Sequence, residues 1–83
     1  MQPAPEIVEL ALELVNYVAG PTGPRADAST TTLRSVCIDQ LGRIEIALEI
    51  ETRFGDIIPD GEVHDWCTVA DVAASLVRIG ASV

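Results

Sequence analysis

The sequence predicts an all-α protein, a four-helix bundle with three longer helices and one short helix. Three stretches of the 83-residue chain repeat apolar residues at helical spacing, and a fourth is long enough for only about one turn. The apolar fraction of 48% includes only three aromatic residues, Tyr17, Phe54 and Trp66, which favours an aliphatic helical core over a sheet. We expect a chain of this length to form one small domain, residues 1–83.

The first helix is predicted over residues 6–18, with Pro5 suited to its first turn. Its apolar stripe consists of Ile7, Leu10, Ala11, Leu14 and Val18. Residues 20–32 contain two prolines, two glycines and a cluster of hydroxyl residues, and they show no apolar period. This segment predicts a long first loop on the surface. Residues 33–38 then form a short apolar approach whose Leu33, Val36 and Ile38 we expect to close one end of the bundle.

The second helix, residues 39–55, is predicted to be the central element. Asp39 is a suitable N-cap and Gly55 a stop, while Gly42 weakens the first turn by about 1 kcal/mol relative to alanine. Its apolar arc consists of Leu41, Ile44, Ala47, Leu48, Ile50 and Phe54. An arc this wide can contact more than one neighbouring helix.

The last third of the chain predicts a crossover, a short helix and a final helix. Ile57 and Ile58 are expected to be buried anchors in the crossover, and residues 62–66 to form the short helix. Thr68, with Asp71 three residues later, resembles a capping box that begins the last helix. The apolar positions of that helix are Val69, Val72, Leu76 and Ile79.

The charge of the chain excludes some partners. Thirteen acidic residues against five basic ones give a formal net charge of −8, so nucleic acid is not expected to bind and a basic protein surface is the complementary partner. Glu6, Glu9 and Glu13 interrupt the first apolar run, so we expect no secretion signal, no membrane contact and a cytoplasmic location. Cys37 and Cys67 fit the role of small buried hydrophobic residues.

Three motifs in the second half of the chain resemble the acyl carrier protein family. One is the helix start Asp39-Gln40-Leu41 with the aliphatic, glutamate-rich helix that ends in Phe54-Gly55. The others are the Ile-Pro-Asp segment at residues 58–60 and the Thr-Val-x-Asp-Val pattern at residues 68–72. The likeness covers more than half of the chain, from about residue 33 onwards, and it implies the family's four-helix bundle.

The resemblance places Gln40 where the family has a serine that is esterified to 4′-phosphopantetheine. A primary amide has no hydroxyl oxygen for that phosphodiester and is a poor nucleophile, so we expect no cofactor on the chain as written. The leading hypothesis is a carrier-like module that docks to enzymes of a fatty-acyl, polyketide or related pathway. One alternative is a genuine 4′-phosphopantetheine carrier, with Gln40 substituting for a natural serine or with another hydroxyl, such as Ser35, in use. A further alternative is a small structural or regulatory bundle.

The resemblance also implies a docking surface and an apolar cleft. Carboxylates that would meet basic surfaces of synthases and transferases are Glu45, Glu49, Asp56, Glu62 and Asp65, with Arg43 interrupting the negative strip. Residues that could line a cleft for an acyl chain are Ile44, Leu48, Val63, Trp66 and Val72.

Catalytic and metal sites are not expected. The chain has one histidine, no lysine and no evident nucleophile–base pair, which indicates that it is not an enzyme. His64 and Cys67 would need two further ligands to hold a metal ion. We expect the protein to be a monomer.

Overall fold

The computed structural model of the chain describes residues 4–81. Its α-helices are α1 (Pro5–Ala19), α2 (Gln40–Phe54), α3 (Asp60–Asp65) and α4 (Val69–Arg78), and a single 3-10 turn (Arg34–Val36) precedes α2. The described part of the chain contains no strand, only an isolated antiparallel bridge between Thr32 and Thr68. The predicted bundle of three longer helices and one short helix is therefore confirmed.

The core forms chiefly where α1 packs against α4. The buried residues of α1 are Ile7, Leu10, Ala11, Leu14 and Val15, so Val15 takes the place predicted for the half-buried Val18. On α4, Val69, Val72 and Leu76 are fully buried, as predicted, and Ile79 is half-buried. α1 packs more extensively on α4 than on α2, and α2 also contacts α3.

The prediction that α2 is the central helix is wrong. Only Gly42, Ile46 and Ile50 are buried on it, which is a narrow stripe of residues four apart along one helical face. Leu41, Ile44 and Leu48 are 64%, 42% and 55% exposed. Part of the predicted apolar arc therefore faces outwards. Ile46, which the predicted arc left out, lies in the core.

The long first loop is tied to two helices. The Asn16 side chain of α1 donates to the Ala26 carbonyl oxygen (2.9 Å) and accepts from the Ala26 amide (2.8 Å), and Ala26 is buried. Further on, carbonyl groups of residues 29 and 31 accept from the amides of Ala70 and Val69 in the first turn of α4. The bonds at Val69 and Ala70 satisfy backbone amides of the first turn of α4, which have no partner within that helix.

Leu33, Val36 and Ile38 are buried and close the bundle end, as predicted.

The predicted burial of the two cysteines is wrong. Cys37 and Cys67 are both exposed free thiols; Cys37 has a left-handed φ of 63° at the end of the 3-10 turn.

In the crossover, Ile58 is buried as predicted but Ile57 is 72% exposed. Residues 56–59 are not helical, and in an extended segment neighbouring side chains point to opposite sides. Only one isoleucine of the pair can therefore enter the core.

Among residues 4–81, no helix is long and apolar enough to cross a membrane.

Candidate functional site

The candidate site lies at the start of α2, where the backbone is fixed by a side-chain cap. The Asp39 carboxylate accepts from the Gly42 amide at 3.0 Å, which confirms its predicted role as N-cap. Gly42 is buried, and a Cβ atom on it would lie 2.8 Å from Cγ2 of Ile38. The glycine thus allows the first turn of α2 to approach the bundle end closely. Gln40, the first residue of the helix, is exposed.

The Gln40 side chain is held by two residues. Its Oε1 atom accepts from Nη1 of Arg43 at 3.1 Å and lies 3.2 Å from Nδ1 of His64 on α3. Because an arginine side chain can only donate, the atom of the Gln40 amide that faces Arg43 is its oxygen. The same oxygen can bond to His64 only if Nδ1 of His64 carries a hydrogen. Nε of Arg43 also donates to the Trp66 carbonyl oxygen at 3.0 Å. The start of α2 is in this way linked to α3 and to the residue that follows it.

A half-open apolar cavity of about 310 Å³ extends from Gln40 along α2. It is lined by Gln40, Ile44, Ala47, Leu48, Glu51, Ile57, Ile58, Asp60 and Val63. Three of the five residues predicted to form a cleft, Ile44, Leu48 and Val63, lie on its wall.

The structure does not bring Trp66 and Val72 to this cavity, so their placement in the cleft is corrected. Both are buried in the core, at 2% and 0% exposure. The Trp66 indole points towards α4, where its Nε1 donates to Oγ of Ser75 at 2.8 Å. The prediction missed Ile57 and Ile58 as lining residues because it placed both of them in the core.

The predicted docking carboxylates fall into two groups. Glu49 pairs with Arg53, four residues later on the same helix (2.8 Å), and Glu62 pairs with Arg78 (2.9 Å). Glu45, Asp56 and Asp65 are exposed, and none of them forms an ion pair within residues 4–81. The outward negative charge around α2 and α3 is carried by these last three together with Glu51 and Asp60, which are also exposed and outside the ion pairs of residues 4–81. Arg43 is half-buried, with its guanidinium directed at Gln40 and the Trp66 backbone.

A polar network between α3 and α4 was not predicted. Ser75 is buried at 4% exposure, accepts from the Trp66 indole and donates to the Glu62 carboxylate, which Arg78 also contacts. Arg78 is the last residue of α4. The contact with Glu62 joins residues 16 apart in the chain, and a local pattern does not reveal it.

The other hydroxyl groups near the site have structural partners. Ser35 Oγ donates to the Thr32 carbonyl oxygen at 2.7 Å, and Thr52 Oγ1 donates to the Leu48 carbonyl oxygen at 2.9 Å. The Ser35 hydroxyl is therefore engaged with the backbone three residues before it. In the described range 4–81, no three or more His, Cys, Asp or Glu side chains are grouped so that they could hold a metal ion.

The fold and the site together define a small, acidic, helical protein with an apolar cavity beside the start of its second helix. Comparison with known proteins identifies relatives of this class. The chain is 31% identical over 67 residues to an acyl carrier protein of Thermobifida fusca (strain YX), which covers 81% of this chain and 85% of that protein.

It is also 28% identical over 74 residues to meromycolate extension acyl carrier proteins of two mycobacteria. These alignments cover 89% of this chain, with 76% of the Mycolicibacterium aurum protein and 75% of the Mycolicibacterium smegmatis protein. No protein-family model matches the sequence. On the strength of these relatives, the chain belongs to the acyl carrier protein family.

Proposed function

We propose that this chain is a carrier-like module that docks to enzymes of a fatty-acyl, polyketide or related biosynthetic pathway without bearing 4′-phosphopantetheine at the usual position. The observation that carries the proposal is Gln40 at the first position of α2, directly after the N-cap Asp39. In this role the chain is a cytoplasmic monomer that binds its partners and catalyses no reaction itself.

The side chain of Gln40 does not fit the prosthetic group that the family implies. Attachment of 4′-phosphopantetheine forms a phosphodiester through a hydroxyl oxygen, and a primary amide has none. The amide nitrogen is not a substitute, because its lone pair is delocalised into the carbonyl group and it is a poor nucleophile. No step of the proposed function therefore passes through a thioester on this residue.

The other hydroxyl groups offer little support for a different attachment point. Ser35 lies five residues before Gln40, inside the 3-10 turn, where its hydroxyl donates to the Thr32 carbonyl oxygen. Thr52 lies near the other end of α2 and bonds within its own helix. Neither follows a capping aspartate at a helix start, which is where the family's serine is expected.

The outward face of α2 supports docking. Leu41, Ile44 and Leu48 are large exposed aliphatic residues, and the exposed carboxylate of Glu45 lies among them. An apolar strip beside negative charge suits a partner surface with apolar anchors and arginine or lysine at its rim. Long-range attraction between the charges speeds the encounter more than it tightens the complex.

The docking proposal is tested by reversing one charge on that face. Candidate partners are the synthases and transferases of fatty-acyl and polyketide chemistry encoded by the same genome, immobilised and titrated with the chain. Glu45→Arg should slow association about tenfold at low salt, with a smaller effect on dissociation. Glu9→Arg makes the same charge change at an exposed position on a different helix, α1, and should have a smaller effect. Equal association rates for the two variants, with a partner that binds the unchanged chain, would remove α2 as the docking face.

A further inference from the structure

We propose that the groove between α1 and α2, beside Tyr17, receives an arginine side chain of a partner enzyme, and that the Tyr17 ring makes this groove prefer arginine to lysine. The inference deepens the proposed function and rests on it, because it names the chemistry of one contact in the docked complex. It also extends the docking surface from α2 to α1.

The groove is an open hollow of about 510 Å³ between the two helices. It is lined by Tyr17, Val18, Glu45, Leu48, Glu49 and Thr52. The first two belong to the last turn of α1, and the other four belong to α2. Because Leu48 is the single residue shared with the wall of the cavity beside Gln40, the groove lies on a different side of α2.

Tyr17 presents an aromatic surface to water. It is 65% exposed, whereas Trp66 is buried and Phe54 is half-buried. One guanidinium of the chain already lies over this ring, since Cζ of Arg53 is 6.0 Å from the ring centre. A planar ring has two faces, and Arg53 does not line the groove. The part of the ring that borders the groove is therefore open to a second cation.

The charges around the groove favour a cation. Glu45 is exposed and forms no ion pair within residues 4–81, while Glu49 shares Arg53 with Glu13. Three carboxylates thus face one guanidinium, which leaves two negative charges. The negative end of the α1 dipole lies at the same place, and the last turn of α1 carries no basic residue. Arg25 also lies near Tyr17, but it lines a separate hollow and not this groove.

These features match an arginine better than a lysine. A guanidinium is planar, so it stacks on an aromatic ring and donates in a fork that both oxygens of a carboxylate such as Glu45 accept. A lysine ammonium is a compact, strongly hydrated charge without this shape. Val18 is half-buried and Leu48 is 55% exposed, so the aliphatic part of an arginine side chain has apolar atoms to pack on.

The test uses two short peptides of equal charge, acetyl-Arg-Leu-Arg-amide and acetyl-Lys-Leu-Lys-amide. Each is titrated at low salt into the isotope-labelled chain, and binding is followed by the amide chemical shifts in NMR spectra. The acidic protein attracts both peptides, so the ratio of the two affinities, and not either affinity alone, reports on the groove. We expect the arginine peptide to bind about threefold more tightly, with the largest shift changes at the residues that line the groove.

Variants of Tyr17 and Glu45 separate the ring from the charge. Tyr17→Leu keeps an apolar side chain but removes the ring, so the two peptides should bind equally, whereas Tyr17→Phe should keep the preference for arginine. Glu45→Gln should weaken both peptides about threefold. Glu9→Gln makes the same charge change at an exposed position of α1 that does not line the groove, and should weaken them less. Circular dichroism of each variant checks that the helices are retained.

Equal affinities of the unchanged chain for the two peptides, or a preference for arginine that survives in Tyr17→Leu, would overturn the inference. Titration of the same variants against an immobilised synthase or transferase that binds the unchanged chain separates this failure from failure of the proposed function. Tyr17→Leu should speed the dissociation of such a partner about threefold, and an unchanged rate rejects the arginine groove while docking through α2 stands. If none of these enzymes binds the unchanged chain, the proposed function fails, and the inference that rests on it fails with it.

Discussion

The Arg43 guanidinium donates to the Gln40 amide oxygen across 3.1 Å, and so holds the side chain at the position where the family resemblance places an attachment serine. The same guanidinium donates to the Trp66 carbonyl oxygen, which fixes it against the segment between α3 and α4. Two residues three apart at a helix start thereby connect the candidate site to the rest of the bundle. The Gln40 side chain is thus part of the hydrogen bonds that join α2 to α3 and to the residue after it.

Substitution by alanine should change the stability of the protein in opposite directions at Gly42 and at Gly61. A methyl group at Gly42 would lie 2.8 Å from Cγ2 of the buried Ile38, and the overpacking cost of about 1–3 kcal/mol exceeds the gain in helix propensity of about 1 kcal/mol. Gly61 on α3 has open space around its Cβ position, so alanine there should stabilise by about 0.5–1 kcal/mol. Urea unfolding of the two variants measures both effects, and a stabilised Gly42→Ala variant would contradict the close packing at the start of α2.

Ser75→Ala should destabilise the protein by about 1–3 kcal/mol, because it leaves the buried Trp66 indole N–H without an acceptor. The free energy of unfolding, measured by urea titration, checks this. Ser35→Ala removes an exposed hydroxyl instead and should cost less than about 0.5 kcal/mol. A Trp66→Phe change made on the Ser75→Ala background should cost less than the same change in the unmodified chain, since no N–H is then stranded. Equal costs would show that the indole and the hydroxyl do not interact.

Arg53→Gln should lower stability by less than about 1 kcal/mol, because its ion pairs with Glu49 (2.8 Å) and Glu13 (3.1 Å) lie at the surface and are screened by water. The hydrogen bonds that Arg53 donates to Glu49 and then to Glu13 raise the pKa of its guanidinium above the ordinary value. A raised pKa gives stability that is present below the unfolded-state pKa and lost only in strong alkali, so titration of this arginine adds no pH dependence near neutrality.

The contribution of Arg53 should instead depend on salt. The difference between Arg53→Gln and the unmodified chain should shrink as sodium chloride is added, when thermal unfolding is followed at several concentrations. Arg25→Gln is the control, since Arg25 is exposed and forms no ion pair within the described part of the chain. A salt-independent difference would indicate that packing over the Tyr17 ring, 6.0 Å from the guanidinium carbon, matters more than the charges.

The sequence predicted those parts of the fold that depend on neighbouring residues. The N-cap at Asp39 and the capping box of Thr68 and Asp71 are both present, because caps join residues only three apart. Helix order and the long first loop followed from apolar spacing and from the proline and glycine content of the loop. Gly80, with a left-handed φ of 76°, lies two residues after the end of α4.

The sequence did not predict which side of α2 faces the core. Its aliphatic residues occupy most of the helix circumference, so several rotations satisfy the apolar pattern, and packing against α1 selects the one that buries Ile46 and Ile50 and exposes Leu41 and Leu48. The cavity was only partly predicted because Ile57 and Ile58 were placed in the core, while Trp66 and Val72, which were placed in the cleft, are buried in the core.

Contacts between distant residues were beyond the reach of the sequence pattern. The contact of Gln40 with His64 spans 24 residues, and it exists only after α3 has packed beside α2. The candidate site could therefore be located at Gln40 from the sequence, but its hydrogen bonds could not.

The most direct test of the central claim is the intact mass of the protein after incubation with coenzyme A and a broad-specificity phosphopantetheinyl transferase. The unmodified chain and a Gln40→Ser variant are treated side by side, and the variant keeps the Asp39 cap and the following Leu41. We predict that only Gln40→Ser gains the mass of the phosphopantetheine arm. A gain on the unmodified chain would place the attachment on another hydroxyl and contradict the proposed function.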